Sequence, residues 1–175
     1  CAEPDLQPYL DLGDMPLAND LRAPGAVEPE ERFPLKVLFC PGCALSQLSV
    51  VVPAERMFRH YLYRSSISET FQRHCAGLAA EAERESSLSD GALVVDIGSN
   101  DGPLLAAFRA RGYRAVGVDP ARNLAAIVGE RGIEVLPEFW GRAAARTLVE
   151  RWGRHDALDQ LTYPAVLELV VDAHG

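Results

Sequence analysis

Hydrophobic and polar positions change rhythm twice along this chain. From residue 1 to about residue 55, prolines and glycines interrupt short apolar runs, Phe33 to Phe39 and Leu45 to Val52, with little helical periodicity. Such a pattern predicts a small β-rich module. From about Ser68 to Ser87 the chain turns rich in Ala and Glu, with Phe71, Cys75, Leu78 and Ala82 at helical spacing, which predicts a connecting helix. Ser86, Ser87, Ser89, Asp90 and Gly91 then make a loop. After it, strand and helix signals alternate. Val94 and Val95 suit a buried parallel strand, Leu104, Leu105 and Phe108 open an amphipathic helix, and Ala115 to Val118 form a second apolar run. Gly112 and Gly132 follow two helices as C-cap candidates. Strands joined through helices give right-handed βαβ units and a parallel sheet.

Three regions are therefore expected: a module at 1–55, a linker and connecting helix at 56–90, and an α/β region at 91–175. A helix from about Arg142 to Trp152 is predicted, and Ala165 to Val171 reads as a further strand or a short helix. Only three or four strands can be drawn, whereas a doubly wound domain wants five or more. The Rossmann-like sheet is expected to be incomplete.

The turn after the first strand carries the strongest chemical signal. In Asp96-Ile97-Gly98-Ser99-Asn100-Asp101-Gly102 the glycines allow close backbone approach to a ligand, and Asp119, at the end of the second apolar run, stands seventeen positions beyond Gly102. An acid there can accept hydrogen bonds from ribose hydroxyls. Asn100 occupies the place where a pyrophosphate-binding loop would want its second glycine, which argues against NAD. Polar side chains at Ser99 and Asn100 suit the amino acid and ribose parts of S-adenosylmethionine. A strand, turn and helix without a ligand is the plain alternative.

Cysteine spacing supplies a second signal. Of Cys1, Cys40, Cys43 and Cys75, only Cys40-Pro41-Gly42-Cys43 has the spacing of a metal knuckle or a redox pair. The pair does not open a helix after a βαβ strand, which favours zinc over thioredoxin-like chemistry. Zinc wants four ligands, and Cys1 supplies a third. Residue 1 is Cys rather than Met, so the chain is expected to start within a longer protein, with the fourth ligand before Cys1. Cys75, among apolar neighbours, reads as core.

Between module and α/β region lies the hydroxyl-rich run His60 to Ser68. Tyr63 can donate a proton or stabilise an oxyanion there, while helix capping and aromatic packing explain the same residues without chemistry. Phe139-Trp140 suits either an adenine or a buried aromatic corner. A net charge of −8 with no basic block argues against nucleic acid as a partner. No apolar run approaches the roughly 18 residues that span a bilayer, so no membrane association is expected and the chain reads as soluble and cytoplasmic.

Together these segments resemble the S-adenosylmethionine-dependent C-methyltransferases that act on nucleotide-linked keto-deoxysugars in antibiotic sugar biosynthesis. The resemblance rests on Leu10-Asp-Leu-Gly13 with Met15-Pro-Leu-Ala-Asn19, Cys40-Pro-Gly-Cys43, Gln47-Leu48, Tyr61-Leu-Tyr63-Arg-Ser65-Ser66, Asp96 to Gly102, Gly117-Val-Asp119-Pro120 and Phe139-Trp-Gly141. It implies an N-terminal zinc-binding domain before a class I methyltransferase sheet, with Cys1, Cys40 and Cys43 as three of four structural zinc ligands. It further implies cofactor contacts at Asp96, Gly98, Ser99, Asn100, Gly102, Asp119 and Pro120, and Tyr63 reaching the active site. After Gly153 the agreement stops, and His155 and His174 do not match the family's histidines. The family's general base is thus expected outside this chain, which alone should not transfer methyl groups. An inactive cofactor-binding fragment, or a zinc-stabilised interaction module, is the competing reading.

Overall fold

The computed structural model describes residues 4–18, 20–86 and 88–153. The chain divides into two compact units, Cys1–Met57 and Phe58–Gly175.

In the first unit, strand β1 (Gln7–Pro16) pairs antiparallel with β2 (Arg32–Phe39), and β2 pairs antiparallel with β3 (Ser46–Leu48). The expected β-rich character is present as this antiparallel sheet. Register slips between Pro8 and Leu10 and again between Asp11 and Asp14. At the second slip Gly13 lies at φ 73 and donates its N–H to Asp11 Oδ1 at 3.0 Å, so a left-handed glycine absorbs the irregularity. The run Leu45 to Val52 yields only a three-residue strand, because Pro53 and the helical turn α1 (Ala54–Phe58) follow closely. Arg56 reaches back to Asp20 at 2.6 Å and Glu31 at 2.8 Å, tying the loop before β2 to α1.

The second unit carries the predicted α/β alternation. After a 3-10 turn (Ser65–Ile67) come α2 (Glu69–Glu85), β4 (Leu93–Ile97), α3 (Pro103–Ala110), β5 (Arg114–Val118), α4 (Arg122–Glu130), β6 (Glu134–Leu136) and α5 (Arg142–Trp152). Strands β4, β5 and β6 are parallel and adjacent in that order, with Val95 beside Val116 and Gly117 beside Val135. Among the described residues the sheet has these three strands; Ala165 to Val171 lie outside them.

Side-chain alternation sends the sheet's two faces to different helices. Val94 packs with Leu104 and Phe108 of α3 and with Cys75, Ala79 and Ala82 of α2; Ala115 and Val135 lie against Leu105, Val128 and Ile133. Leu93, Val116, Val118 and Leu136 point the other way, onto Ala144 and Leu148 of α5. Burial of Val116 and Val118 to 0% exposure fixes this register, since a one-residue slip would turn both strand side chains to the wrong face. Ser68 caps α2 by accepting the Phe71 N–H at 3.2 Å. The buried stripe of α2 is Cys75, Ala79 and Ala82, and Phe71, expected on it, is exposed with its ring 6.0 Å from that of His74. Small alanines let α2 approach α3 closely, and a phenylalanine one turn from the helix start falls beyond that contact.

Both helices that feed the sheet end in the same way. Tyr113 N–H bonds Phe108 O at 3.2 Å while Gly112 N–H bonds Arg109 O at 3.0 Å, and Ile133 and Gly132 repeat the pair on Val128 and Gly129. This is the Schellman arrangement, and Gly112 (φ 92) and Gly132 (φ 70) supply its left-handed residue, as their positions in the sequence predict.

Candidate functional site

The loops leaving the C-terminal ends of β4, β5 and β6 form one rim, the place where open α/β sheets receive ligands. Gly98 (φ 75), Asn100 (φ 50) and Gly102 (φ 78) are all left-handed, so the chain leaving β4 curls within five residues and enters α3 at Pro103. Gly98 N–H donates to Val118 O at 2.8 Å and holds the loop to β5. A Cβ built on Gly98 meets nothing within 4 Å, so the space over this backbone is open; one on Gly102 would press on Val128 Cγ1 at 3.2 Å. Gly117 serves the loop from beneath. A Cβ there would collide with Ser99 Oγ and stand 2.9 Å from Leu105 Cδ1. Ser99 fills the room that Gly117 leaves, 3% exposed and with no hydrogen-bond partner for its hydroxyl among the described residues.

Asp119, 8% exposed at the end of β5, braces this rim. Its Oδ2 accepts the Asn100 N–H at 2.8 Å and its Oδ1 accepts the Ala121 N–H at 2.8 Å. Each carboxylate oxygen keeps a further lone pair. Asp96 is buried within β4 and Pro120 half-buried after β5.

Across the rim runs the segment from Arg59 to Ser66, which we call the strap. Arg59 anchors it beyond β6, donating to Pro137 O at 3.0 Å and Glu138 Oε2 at 3.3 Å, with its guanidinium 4.7 Å from the centre of the Phe139 ring. Asn123, at the start of α4, holds Tyr61 by a reciprocal pair: Tyr61 N–H to Asn123 Oδ1 at 3.0 Å, and Asn123 Nδ2 to Tyr61 O at 2.7 Å. Beyond β4 the Asn100 amide takes over. Its Nδ2 donates to Tyr63 O at 3.2 Å, and its Oδ1 accepts the Ser65 N–H and the Asp101 N–H, both at 2.9 Å. Asp101, 1% exposed, accepts the Ser66 N–H at 3.0 Å and the Ser66 hydroxyl. Strap and loops thus share a part-buried polar network that leaves Tyr63 half-exposed at the rim.

The structure brings Gly98, Ser99, Asn100, Gly102, Asp119, Pro120 and the Tyr63 backbone to one rim. Asn100 spends its side chain on the strap, a use the loop spacing does not show. Sequence reasoning also passed over Asp101, Asn123 and Arg59. For Asp101 and Asn123 the available signal was an Asp and an Asn at helix starts, which ordinarily reads as capping. Trp140 packs under α5 and Phe139 under Arg59, so this pair makes a packed corner.

In the first unit, Cys40 is buried and Cys43 exposed on a tight turn in which Ala44 N–H bonds Cys40 O at 2.8 Å and Cys40 N–H bonds Leu45 O at 2.9 Å. Two thiols on such a turn suit zinc by their chemistry. Cys1 lies outside the described residues, and among those described no group of three metal-ligating side chains gathers. Burial, and then the Asp96 carboxylate, push the Cys75 thiol up from its ordinary value, which keeps it an unreactive core residue. Among the described residues no helix is long and apolar enough to cross a membrane.

Parallel strands in sequential order, a glycine-bounded turn after the first and an acid after the second make this unit a Rossmann-like α/β sheet. Residues 1–58 match the family described as "Putative zinc binding domain" of methyltransferases. The chain is similar to C-methyltransferase NovU of Streptomyces niveus, at 36% identity over 154 residues that make up 87% of this chain. The chain spans 37% of that relative's length. Among solved structures it is similar to the C-terminal domain of precorrin-6Y C5,15-methyltransferase from Rhodobacter capsulatus, at 15% identity and TM-score 0.37, over 70% of this chain and 77% of that one. It is also similar to coclaurine N-methyltransferase bound to N-methylheliamine and SAH, at 17% identity and TM-score 0.34, over 46% of this chain and 26% of that one.

Proposed function

We propose that this chain is the zinc-binding and cofactor-binding part of an S-adenosylmethionine-dependent C-methyltransferase acting on a nucleotide-linked 4-keto-deoxysugar. The observation that carries the reading is the open backbone at Gly98, beside an acid at the end of β5 with acceptor capacity left, under a strap that carries Tyr63. Similarity to a C-methyltransferase over most of the chain supports it.

When bound, the cofactor supplies an electrophilic methyl group on a sulfonium sulfur. Gly98 would allow its amino acid end to approach the backbone of the loop, and Asp119 would accept hydrogen bonds from the ribose. A base would take the proton from the carbon next to the 4-keto group, and the carbon of the resulting enolate would take the methyl group as the sulfur–methyl bond breaks, leaving a neutral thioether. Tyr63 would hydrogen-bond the enolate oxygen, and fixing the two reactants in one cleft would supply effective molarity. The base is assigned to no residue of this chain. Cys1, Cys40 and Cys43 would supply three of the four ligands of a structural zinc, and a site closed by four ligands leaves no position for substrate.

Calorimetry tests the cofactor assignment. S-adenosylmethionine should bind and NAD should not, and Asp119→Ala should weaken binding by roughly 1.5–3 kcal/mol, the worth of hydrogen bonds to a charged acceptor. Because Asp119 also braces Asn100 and Ala121, a melting curve must show the variant folded. Unchanged affinity in a folded variant, or preference for NAD, overturns the assignment.

A further inference from the structure

Asn100 sits in the loop that should face the cofactor, yet its side chain faces the strap. Its amide bridges two strap residues, donating to Tyr63 O and accepting from the Ser65 N–H, while its own backbone N–H is held by Asp119. Three constraints therefore meet in one residue: a left-handed backbone at φ 50, which Asn tolerates better than most side chains, a carboxylate fixing that backbone, and an amide fixing the strap. Asp101 adds the next clamp through Ser66. Between Asn100 and the Asn123 pair at Tyr61, the strap is held on both sides of Tyr63, and its half-exposed phenol is the part left free to meet a ligand.

We propose that Asn100 is a positioning residue: it contacts the cofactor through its backbone alone, and its side-chain amide clamps the strap so that the Tyr63 phenol stands over the ends of β4 and β5. The role given to Tyr63 rests on the function proposed above; the clamp itself does not. One loop then sets both where the cofactor lies and where the phenol lies. Asn at this position serves the strap, and a residue chosen only to admit a ligand would be glycine.

Two variants of the 175-residue chain separate the clamp from a cofactor contact. Asn100→Gly keeps the left-handed backbone and removes the amide; Asn100→Asp keeps an acceptor for Ser65 and removes the donor to Tyr63. Amide hydrogen exchange reads the strap, calorimetry with S-adenosylhomocysteine reads the loop, and the ring resonance of Tyr63, assigned through Tyr63→Phe, reads the phenol. In Asn100→Gly the amides of residues 63–66 should exchange about tenfold faster or more, since each lost hydrogen bond is worth about that factor in local opening. The shift that S-adenosylhomocysteine causes in the Tyr63 resonance should vanish. Asn100→Asp should keep Ser65 protected. Unchanged exchange in Asn100→Gly overturns the clamp, as does an affinity loss of about tenfold or more with the strap still protected, which would assign the amide to the cofactor. If the wild-type chain binds no S-adenosylhomocysteine, the functional reading falls, while the exchange rates still decide the clamp.

Discussion

Among the described residues, two other than glycine hold left-handed backbone, and they differ in what compensates the strain. Asn100 gains three side-chain hydrogen bonds from its position. Ala44, at φ 59 directly after Cys43, has a methyl group that can make none. It is retained because the turn closing Cys40 and Cys43 requires that conformation, with Ala44 N–H on Cys40 O. A left-handed L-residue costs about 1–2 kcal/mol, and glycine gives back about 0.5–1 in extra unfolded-state freedom. Ala44→Gly should therefore stabilise the first unit by about 0.5–1 kcal/mol, read as slower hydrogen exchange of the β1 and β2 amides. A destabilised variant would show that the alanine methyl packs in a way the turn geometry does not reveal. Gly117 shows the opposite constraint, where it is the neighbour's side chain, Ser99, that excludes a methyl group.

At the scale of elements, the exits of α3 and α4 repeat one motif and deliver β5 and β6 in parallel register, while α2 is joined to α3 by more than its alanines. Glu83 of α2 accepts from Arg111, just past α3, and from the Tyr113 hydroxyl at 3.1 Å. The Arg111 guanidinium first, and then Tyr113, hold the Glu83 carboxyl below its ordinary value of 4.5. A depressed carboxylate contributes stability that is fully present above the unfolded-state value and lost as pH falls through the folded-state value. The contribution is small, because both partners of the ion pair are about a third exposed and screened by solvent. Glu83→Gln should accordingly be less stable than wild type at pH 7, with the gap closing as pH falls below about 4.5. Urea denaturation at a series of pH values checks this, and a gap that stays constant down to pH 2 would place the loss in packing rather than charge.

For the whole molecule, two units invite separate accounts of stability. The first has β1 exposed along its whole length and few buried residues, so its sheet alone buries little apolar surface, whereas the second has a core on both faces of its sheet. If zinc holds the first, chelation should speed exchange throughout β1 and β2 and leave β4 and β5 protected, with the metal lost counted by elemental analysis. Equal protection with and without chelator would remove zinc from the account. Much of the second unit was legible in the sequence: the apolar runs of β4 and β5, the glycines that close α3 and α4, and the turn from Gly98 to Gly102 are local patterns, set by side-chain period and by backbone conformations only some residues tolerate. The same holds for the Cys40 to Cys43 turn. The strap was not legible, because Asn100 and Tyr63, or Asn123 and Tyr61, lie dozens of positions apart, and a polar side chain at a turn looks alike whether it faces a ligand, a cap or another segment. Only the folded sheet, by bringing three loop ends to one edge, decided that Asn100 faces the strap, that Asp119 binds the backbone of Asn100 and Ala121, and that Phe71 lies outside the core that its spacing predicts it to join.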